Sequence, residues 1–328
     1  MARQWQLTSR PDGMPTAETF ALREVDLPDV RDGEIRVRNL WLSVDPYMRG
    51  RMNESKSYIA PFPIDGAMEG GAIGEVLESK ADGFAKGDLV SHFAGWRDEA
   101  VISTKGVHKL PDIGATPQSF LSILGMPGAT AYFGLFDVAA AKDDDIVFVS
   151  AAAGAVGSAV VQLAKARGMT VIGSAGGAEK CDLIRSLGAD EAVDYKAGSI
   201  LGGLKQAAPK GIDVYFDNVG SDHLDAAFAC SRQWARFALC GMIAGYNSRE
   251  PAQFKYIIRM IASRITMRGF LYGDYVSRLD EFYREMGQLV AAGKVTAQET
   301  VFEGLETTPD AFLGLFSGAN SGKMLVRV

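Results

Sequence analysis

The sequence has few of the residues that build metal sites and disulfide bonds. Its 328 residues include three histidines and three cysteines. The cysteines are Cys181, Cys230 and Cys240. None of them forms a CxxC pair, and no cysteine accompanies His92, His108 or Glu69 in the first half of the chain. Because zinc sites need several Cys, His or acidic ligands together, we expect no metal. Sparse, unpaired cysteines also indicate a reducing compartment.

An excess of positive charge and a long apolar run are also missing. The formal net charge is −6, which argues against nucleic acid or an anionic membrane as partner. The longest apolar stretch, residues 120–138, is broken by Pro127 and Asp137. The first residues, MARQWQLTSRPDG, do not have the pattern of a secretory signal. These absences predict a soluble cytoplasmic protein with no nucleic-acid or membrane partner.

The length and the hydrophobic pattern of the chain predict two domains. In the first hundred residues, EIRVRNLWLSV, GGAIGEVLES and GDLVSHF read as strands of a β-barrel or sandwich. After Pro117, six strand-like runs alternate with helical runs, from DIVFVS to ITMRGFLY. This alternation predicts a parallel, doubly wound α/β sheet. The terminal NSGKMLVRV is strand-like again, and we expect it to return to the N-terminal domain.

A turn of small residues follows the first strand of the α/β region. In FVSAAAGAVGSAVVQLAKARG the dinucleotide-binding pattern GxGxxG occurs as Ala152-x-Gly154-x-x-Gly157. The glycines of this pattern allow a tight turn, close approach of phosphate and close helix packing. Ala152 can replace the first glycine if its backbone stays within ordinary φ/ψ space. The turn is therefore predicted to hold a pyrophosphate at a helix N-terminus, with plain helix–strand packing as the alternative.

The end of the second strand indicates which dinucleotide is bound. NAD sites carry Asp or Glu there, to bind the ribose 2′-hydroxyl. This chain has Ser174, and the next acid is Glu179. Lys180 and Tyr195 offer a cation and a hydroxyl to a 2′-phosphate, although Lys180 alone is typical of a solvated helix residue. The pattern favours NADP(H).

Further cofactor contacts are expected where the other predicted strands end, because ligands of doubly wound sheets bind beyond the carboxyl ends of the strands. The residues at these ends are Ser150, Ser174, Tyr195, Asn218, Gly241 and Tyr272. Hydroxyl, amide and small side chains suit a long polar cofactor. Asn218, in DNVG, is also a common turn former.

Seven motifs along the chain carry a family resemblance. They are SVDPYMRGRM, GMPGATAYFGL, AAAGAVGSAVVQLAK, AGGAEK, FDNVG, CGMIAGYN and NSGKMLV. With them the chain resembles the zinc-independent medium-chain dehydrogenases/reductases, in the branch of prostaglandin, alkenal and curcumin reductases. The resemblance implies a GroES-like β-barrel catalytic domain from residues 1–117 and 296–328, with a Rossmann NADP-binding domain at 118–295. It also implies a homodimer.

The resemblance further implies that NADPH gives a hydride to the β-carbon of an α,β-unsaturated ketone or aldehyde. Tyr246 is the candidate catalytic residue, with water as the other proton source, and Tyr47 and Tyr272 are expected in the substrate pocket. The expected cofactor contacts are Thr130, Gly154, Ala155, Val156, Gly157, Ser174, Lys180, Tyr195, Asn218, Gly241, Tyr246, Phe270, Leu271 and Asn320. A quinone reductase of the same fold and a weakly catalytic NADPH-binding scaffold remain as alternatives.

Overall fold

The computed structural model describes residues 1–55 and 57–328. Within them the chain divides into two compact units. The first comprises Met1–Leu121, Glu299–Asn320 and Met324–Val328, and the second Ser122–Gln298 and Ser321–Lys323. The boundaries expected from the sequence, after 117 and before 296, lie a few residues earlier, and residues 321–323 were not expected to join the second unit. The division into functional domains remains a prediction.

Strands and helices occur in both units. In chain order the strands are β1 (Ala2–Leu7), β2 (Phe20–Val25), β3 (Glu34–Ser43), β4 (Ala72–Ser79), β5 (Leu89–His92), β6 (Glu99–Ser103), β7 (His108–Lys109), β8 (Ile146–Val149), β9 (Thr170–Ala175), β10 (Glu191–Asp194), β11 (Ile212–Asp217), β12 (Ser231–Leu239), β13 (Thr266–Gly269), β14 (Glu299–Glu303) and β15 (Lys323–Arg327). The α-helices are α1 (Met48–Arg51), α2 (Met126–Phe133), α3 (Ala155–Ala166), α4 (Ala178–Ser186), α5 (Ile200–Ala207), α6 (Ser221–Cys230), α7 (Arg259–Ser263), α8 (Leu279–Ala291) and α9 (Thr308–Ser317). Among them, no helix is long and apolar enough to cross a membrane.

The first unit is built on a seven-stranded sheet. Its order is β14-β15-β3-β4-β5-β7, with β6 also paired to β3, and β1 and β2 form a separate hairpin. The last strand pairs antiparallel with β3, with Leu325 opposite Ser43, which confirms the expected return of the C-terminus. The ring centroid of Trp96 lies 5.8 Å from that of Phe20 and 5.9 Å from that of Phe312. The N-terminal region, the loop after β5 and α9 therefore share one aromatic core.

The second unit is built on a six-stranded parallel sheet of order β10-β9-β8-β11-β12-β13. In order of appearance along the chain this is 3-2-1-4-5-6, the doubly wound arrangement that the alternating pattern predicts. Its central strands are buried on both faces, and Phe148, Val149 and Phe216 have no exposed surface. Such strands read as continuous apolar runs, which explains DIVFVS and IDVYFD. The carboxyl ends of the strands lie at one edge, where the candidate site is found.

Candidate cofactor and active site

The turn between β8 and α3 has the geometry of a dinucleotide turn. Its left-handed residue is Ala151, with φ of 48°, whereas Ala152 stays outside that region, as the sequence pattern requires of it. The Ala152 N–H donates to Ser174 O at 2.9 Å, which ties the turn to β9. A Cβ on Gly157 would lie 2.3 Å from Ala151 O, so only glycine lets α3 approach this closely. A Cβ on Gly154 would lie 3.2 Å from the same oxygen, a tight contact but far less severe than the one at Gly157.

The first turn of α3 presents N–H groups to a ligand. Gly154 is the N-cap, and the first intrahelical bond runs from Ser158 N–H to Gly154 O at 2.9 Å. The N–H groups of Ala155, Val156 and Gly157 precede that bond and have no helical acceptor. No acidic side chain occurs in this turn. Together with the helix dipole, these groups fit a pyrophosphate.

The C-terminal segment supports the turn from outside. Gly322 N–H donates to Ala153 O at 2.7 Å, and Gly322 forms a parallel bridge with Gly154. The φ of Gly322 is 72°, and a Cβ there would lie 1.9 Å from Gln298 O. The Gly322 position of NSGKMLV therefore requires glycine, because its φ is positive and a side chain there would clash with Gln298. Asn320, the expected cofactor contact two residues earlier, belongs to the first unit, and its contact with cofactor remains a prediction.

Asn218, at the end of β11, is held by a buried network that the sequence analysis missed. Its N–H donates to Ser150 Oγ at 2.9 Å and its Nδ2 to Ser150 O at 2.8 Å. Asp217 Oδ1 accepts from Tyr215 Oη at 2.7 Å, from Ser150 Oγ at 3.2 Å and from two backbone N–H groups of the same turn. Burial raises the pKa of Asp217 in spite of these bonds. This network fixes the orientation of the Asn218 side-chain amide. In the sequence, only the FDNVG motif pointed to these residues.

The region expected to take a 2′-phosphate lies beyond β9 and β10. Ser174 lies one residue before the end of β9; it is fully buried, and its hydroxyl has no hydrogen-bond partner in the described part of the chain. Lys180 occupies the first turn of α4, and the Tyr195 side chain follows β10, 40% exposed. The Gly177 N–H is used by Asp194 Oδ1 at 2.9 Å. These residues lie near one another, but Ser174 is more deeply placed than a ribose contact requires.

Two lysines, not one, lie in this region. Burial lowers the pKa of Lys180, and the positive charge of Lys196 lowers it further. Lys196 directly follows Tyr195, and the sequence analysis gave it no role. The lysine is visible in the sequence as part of DYK, but nothing there indicates that it lies near Lys180. That proximity follows from the packing of α4 beside β10.

A cavity of about 460 Å³ lies at the ends of β12 and β13. It brings together Gly241, Phe270 and Leu271, three expected cofactor contacts. Its other lining residues are Leu239, Cys240, Met242, Gly269 and Asp274. Burial raises the pKa of the Cys240 thiol to about 12, so this thiol is protonated at neutral pH. The Tyr246 hydroxyl is near this edge, where it accepts from Met242 N–H at 3.4 Å.

The remaining candidates occupy separate positions. Thr130 lies on α2, partly buried, and Tyr272 begins a 3₁₀ turn, where burial raises its pKa to about 12. Tyr47 belongs to the first unit; its hydroxyl is buried and has no hydrogen-bond partner among residues 1–55 and 57–328. Burial, followed by the charge of Asp45, raises the Tyr47 pKa well above its usual value. Tyr47 is therefore a neutral donor at physiological pH, and its place in a substrate pocket remains a prediction.

Two family models match the chain. One, the N-terminal domain of oxidoreductase, matches residues 3–110, and the other, zinc-binding dehydrogenase, matches residues 155–292. The NADPH-dependent curcumin reductase of Escherichia coli is 40% identical over 99% of this chain and 96% of its own length. The NADP-dependent 2-alkenal reductase of Nicotiana tabacum is 43% identical over 96% of this chain and 94% of its own. The chain belongs to the zinc-independent medium-chain dehydrogenases/reductases.

Solved structures of this dehydrogenase/reductase family agree with that assignment. The crystal structure of CurA from Vibrio vulnificus has 41% identity and a TM-score of 0.94 over 100% of this chain and 99% of its own. A second CurA structure, in complex with NADPH, has 42% identity and the same TM-score over 99% of both chains. The predicted combination of a GroES-like domain with a Rossmann sheet is thereby confirmed. Although one matching model is named for zinc, the described residues contain no cluster of three metal-ligating side chains.

Proposed function

We propose that this chain is an NADPH-dependent reductase of the C=C bond of α,β-unsaturated ketones and aldehydes. The supporting observation is that relatives at 38–43% identity over at least 96% of the chain are named as reductases of curcumin, a 2-alkenal and pulegone. Each of these compounds has a C=C bond conjugated to a carbonyl group. The geometry of the second unit supports the cofactor half of the proposal independently.

Three features of the second unit suit NADPH. The N–H groups of Ala155, Val156 and Gly157 suit its pyrophosphate. The end of β9 carries no carboxylate to repel a 2′-phosphate, while Lys180 and Tyr195 offer a cation and a hydroxyl. The Asn218 side chain is held by hydrogen bonds from its Nδ2 and backbone N–H groups to Ser150, and within the described part of the chain its Oδ1 accepts none, so this oxygen is a candidate acceptor for the cofactor.

Bound NADPH supplies a hydride to the β-carbon of the substrate, so negative charge develops on the carbonyl oxygen. A hydrogen-bond donor prepared for that oxygen lowers the barrier most. The Tyr246 hydroxyl suits this role because it lies near the cavity at the ends of β12 and β13, where it accepts a hydrogen bond from Met242 N–H. We propose that Tyr246 donates to the carbonyl oxygen or delivers the proton to the α-carbon. Burial raises the pKa of Tyr47 and of Tyr272, so both hydroxyls are protonated at neutral pH, and we propose that each can contact the substrate.

A substrate panel tests this proposal. Purified protein is supplied with NADPH and 2-nonenal, a cyclic enone, a quinone or saturated nonanal, and products are identified by mass. We expect the alkenal and the enone to gain two hydrogens with the carbonyl retained, while nonanal stays unchanged. NADPH deuterated at the transferable position should label the β-carbon. Allylic alcohols as products, or turnover of the quinone alone, would reject the proposal; NADPH binding without any turnover would identify a scaffold.

We further propose a homodimer that forms along β13. This strand bonds to β12 on one side, and all four of its residues are exposed. Exposed apolar side chains accompany it, including Ile258 at 68% and Ile261 at 75%. An unpaired apolar edge is a ready template for a second strand. Light scattering after gel filtration should give twice the mass of one 35.2 kDa chain, and Met267→Lys on β13 should yield monomers.

A further inference from the structure

Lys180 and Lys196 place two positive charges close together at the amino end of α4. Lys180 lies in the first turn of the nine-residue helix, and Lys196 lies in the loop after β10. The two are near enough for Lys196 to disfavour protonation of Lys180, in addition to the effect of burial. Like charges in proximity cost free energy unless an anion compensates for them.

The side chains of this region converge on one glycine. A Cβ on Gly176 would lie 2.7 Å from Tyr195 Oη and 3.0 Å from Lys196 Cε. The adjacent Gly177 has φ of 99°, and a Cβ there would meet no atom within 4 Å. The Tyr195 hydroxyl and the Lys196 side chain therefore lie next to the backbone of Gly176, and the space beside Gly177 is open.

The nearest carboxylate does not neutralise Lys196 through an ion pair. Asp194 Oδ1 accepts from the backbone N–H groups of Gly177 and Lys196, each at 2.9 Å. The charge of Lys196 does contribute to the lowered pKa of Asp194, but the two side chains form no ion pair in the described part of the chain. Asp194 Oδ1 therefore stabilises the backbone of this loop, and the Lys196 ammonium group remains available to bind a ligand.

We propose that Lys196 is a second cation for the 2′-phosphate of the cofactor, and that with Lys180 it determines the preference for NADPH over NADH. This inference rests on the proposed function. A phosphate monoester carries between −1.5 and −2 charges at neutral pH, about twice what one lysine balances. Two ammonium groups and the Tyr195 hydroxyl match that charge and its several acceptor oxygens. An unphosphorylated ribose offers the second lysine no charge to bind.

Calorimetry on Lys196→Gln tests the assignment directly. NADPH, NADH and adenosine 2′,5′-bisphosphate are titrated into the unsubstituted protein, Lys196→Gln, Lys196→Arg and Lys210→Gln. Lys210 is an exposed lysine outside the site and serves as the matched control. We expect Lys196→Gln to bind NADPH and the bisphosphate about tenfold more weakly, with NADH affinity unchanged. Lys196→Arg should retain most of the affinity, and Lys210→Gln should match the unsubstituted protein.

The outcomes separate this inference from the function it rests on. If Lys196→Gln binds NADPH as tightly as the unsubstituted protein, or loses NADH affinity in equal proportion, Lys196 does not contact the 2′-phosphate and the inference is wrong, while the reductase proposal stands. If the unsubstituted protein itself binds NADPH and NADH equally, both are wrong. Thermal melting of each variant without cofactor shows whether a loss of affinity is a loss of folding.

Discussion

Replacing each glycine of the turn before α3 with alanine should separate packing from cofactor binding. In Gly157→Ala the new Cβ lies 2.3 Å from Ala151 O and 2.8 Å from Ala152 Cα, both backbone atoms. An ordinary carbon contact is about 3.5 Å, so the helix and the turn must move apart by about 1 Å. Overpacking of this kind costs about 1–3 kcal/mol. We expect Gly157→Ala to melt about 2–6 °C lower than the unsubstituted protein.

Gly154→Ala should have the opposite profile. Its φ of −84° and ψ of 179° are open to alanine, and the new Cβ lies 3.2 Å from Ala151 O, a tight contact, so we expect a smaller fall in melting temperature than in Gly157→Ala. The methyl group would instead occupy the space that a pyrophosphate needs next to the N–H groups of α3. We expect NADPH affinity to fall at least about tenfold, which corresponds to about 1.4 kcal/mol.

The two measurements are differential scanning fluorimetry without cofactor and calorimetric titration with NADPH. Gly202→Ala is the matched control, because Gly202 lies in α5 and the nearest atom to its new Cβ is 3.8 Å away. It should raise stability by about 0.5–1 kcal/mol and leave NADPH binding unchanged. Undiminished NADPH affinity in Gly154→Ala, or an unchanged melting temperature in Gly157→Ala, would refute the assignment of the two roles.

Two other residues give predictions of a different kind. Tyr246→Phe should lower kcat for an enal about 100-fold, because it removes the hydroxyl proposed to donate to the developing oxyanion, whereas NADPH affinity should change far less; an undiminished kcat in stopped-flow turnover would remove that role. His92 is buried, and burial lowers its pKa from 6.5 to about 4. A lowered folded-state pKa gives stability that is present above pH 6.5 and lost as the pH falls towards 4, by about 3 kcal/mol in total. Urea unfolding across that range should show the loss in the unsubstituted protein and a flatter profile in His92→Gln, and identical profiles would contradict it.

Local sequence patterns predicted the second unit well because its strands and turns obey local rules. The six strands, their parallel order and the glycine turn follow from apolar runs, alternation with helices and the small-residue pattern. The return of β15 to β3 was also expected, from strand-like NSGKMLVRV. The sequence predicted less well those features of the structure that depend on contacts between residues far apart in the chain. That residues 321–323 would join the second unit depends on the Gly322 N–H bond to Ala153 O, a pairing across 169 positions with no local signal.

The candidate site shows the same division. The sequence singled out Asn218 because it follows a strand, and Lys180 because it lies shortly after one; their contacts with the cofactor remain predictions. Asp217 was missed because its role depends on one oxygen accepting four hydrogen bonds, which sequence spacing cannot show. The sequence gave no reason to single out Lys196, because its proximity to Lys180 depends on how α4 packs against the loop after β10. Ser174 was placed at a strand end, whereas β9 continues to Ala175 and leaves that hydroxyl buried.

The final eight residues participate in both units. Gly322 bonds to the turn before α3, and residues 325–327, only a few positions later, pair with β3. A variant shortened to end at residue 320 would therefore lose a strand of one sheet and the backbone hydrogen bond that supports the phosphate turn in the other unit, so one deletion would weaken both folding and cofactor binding.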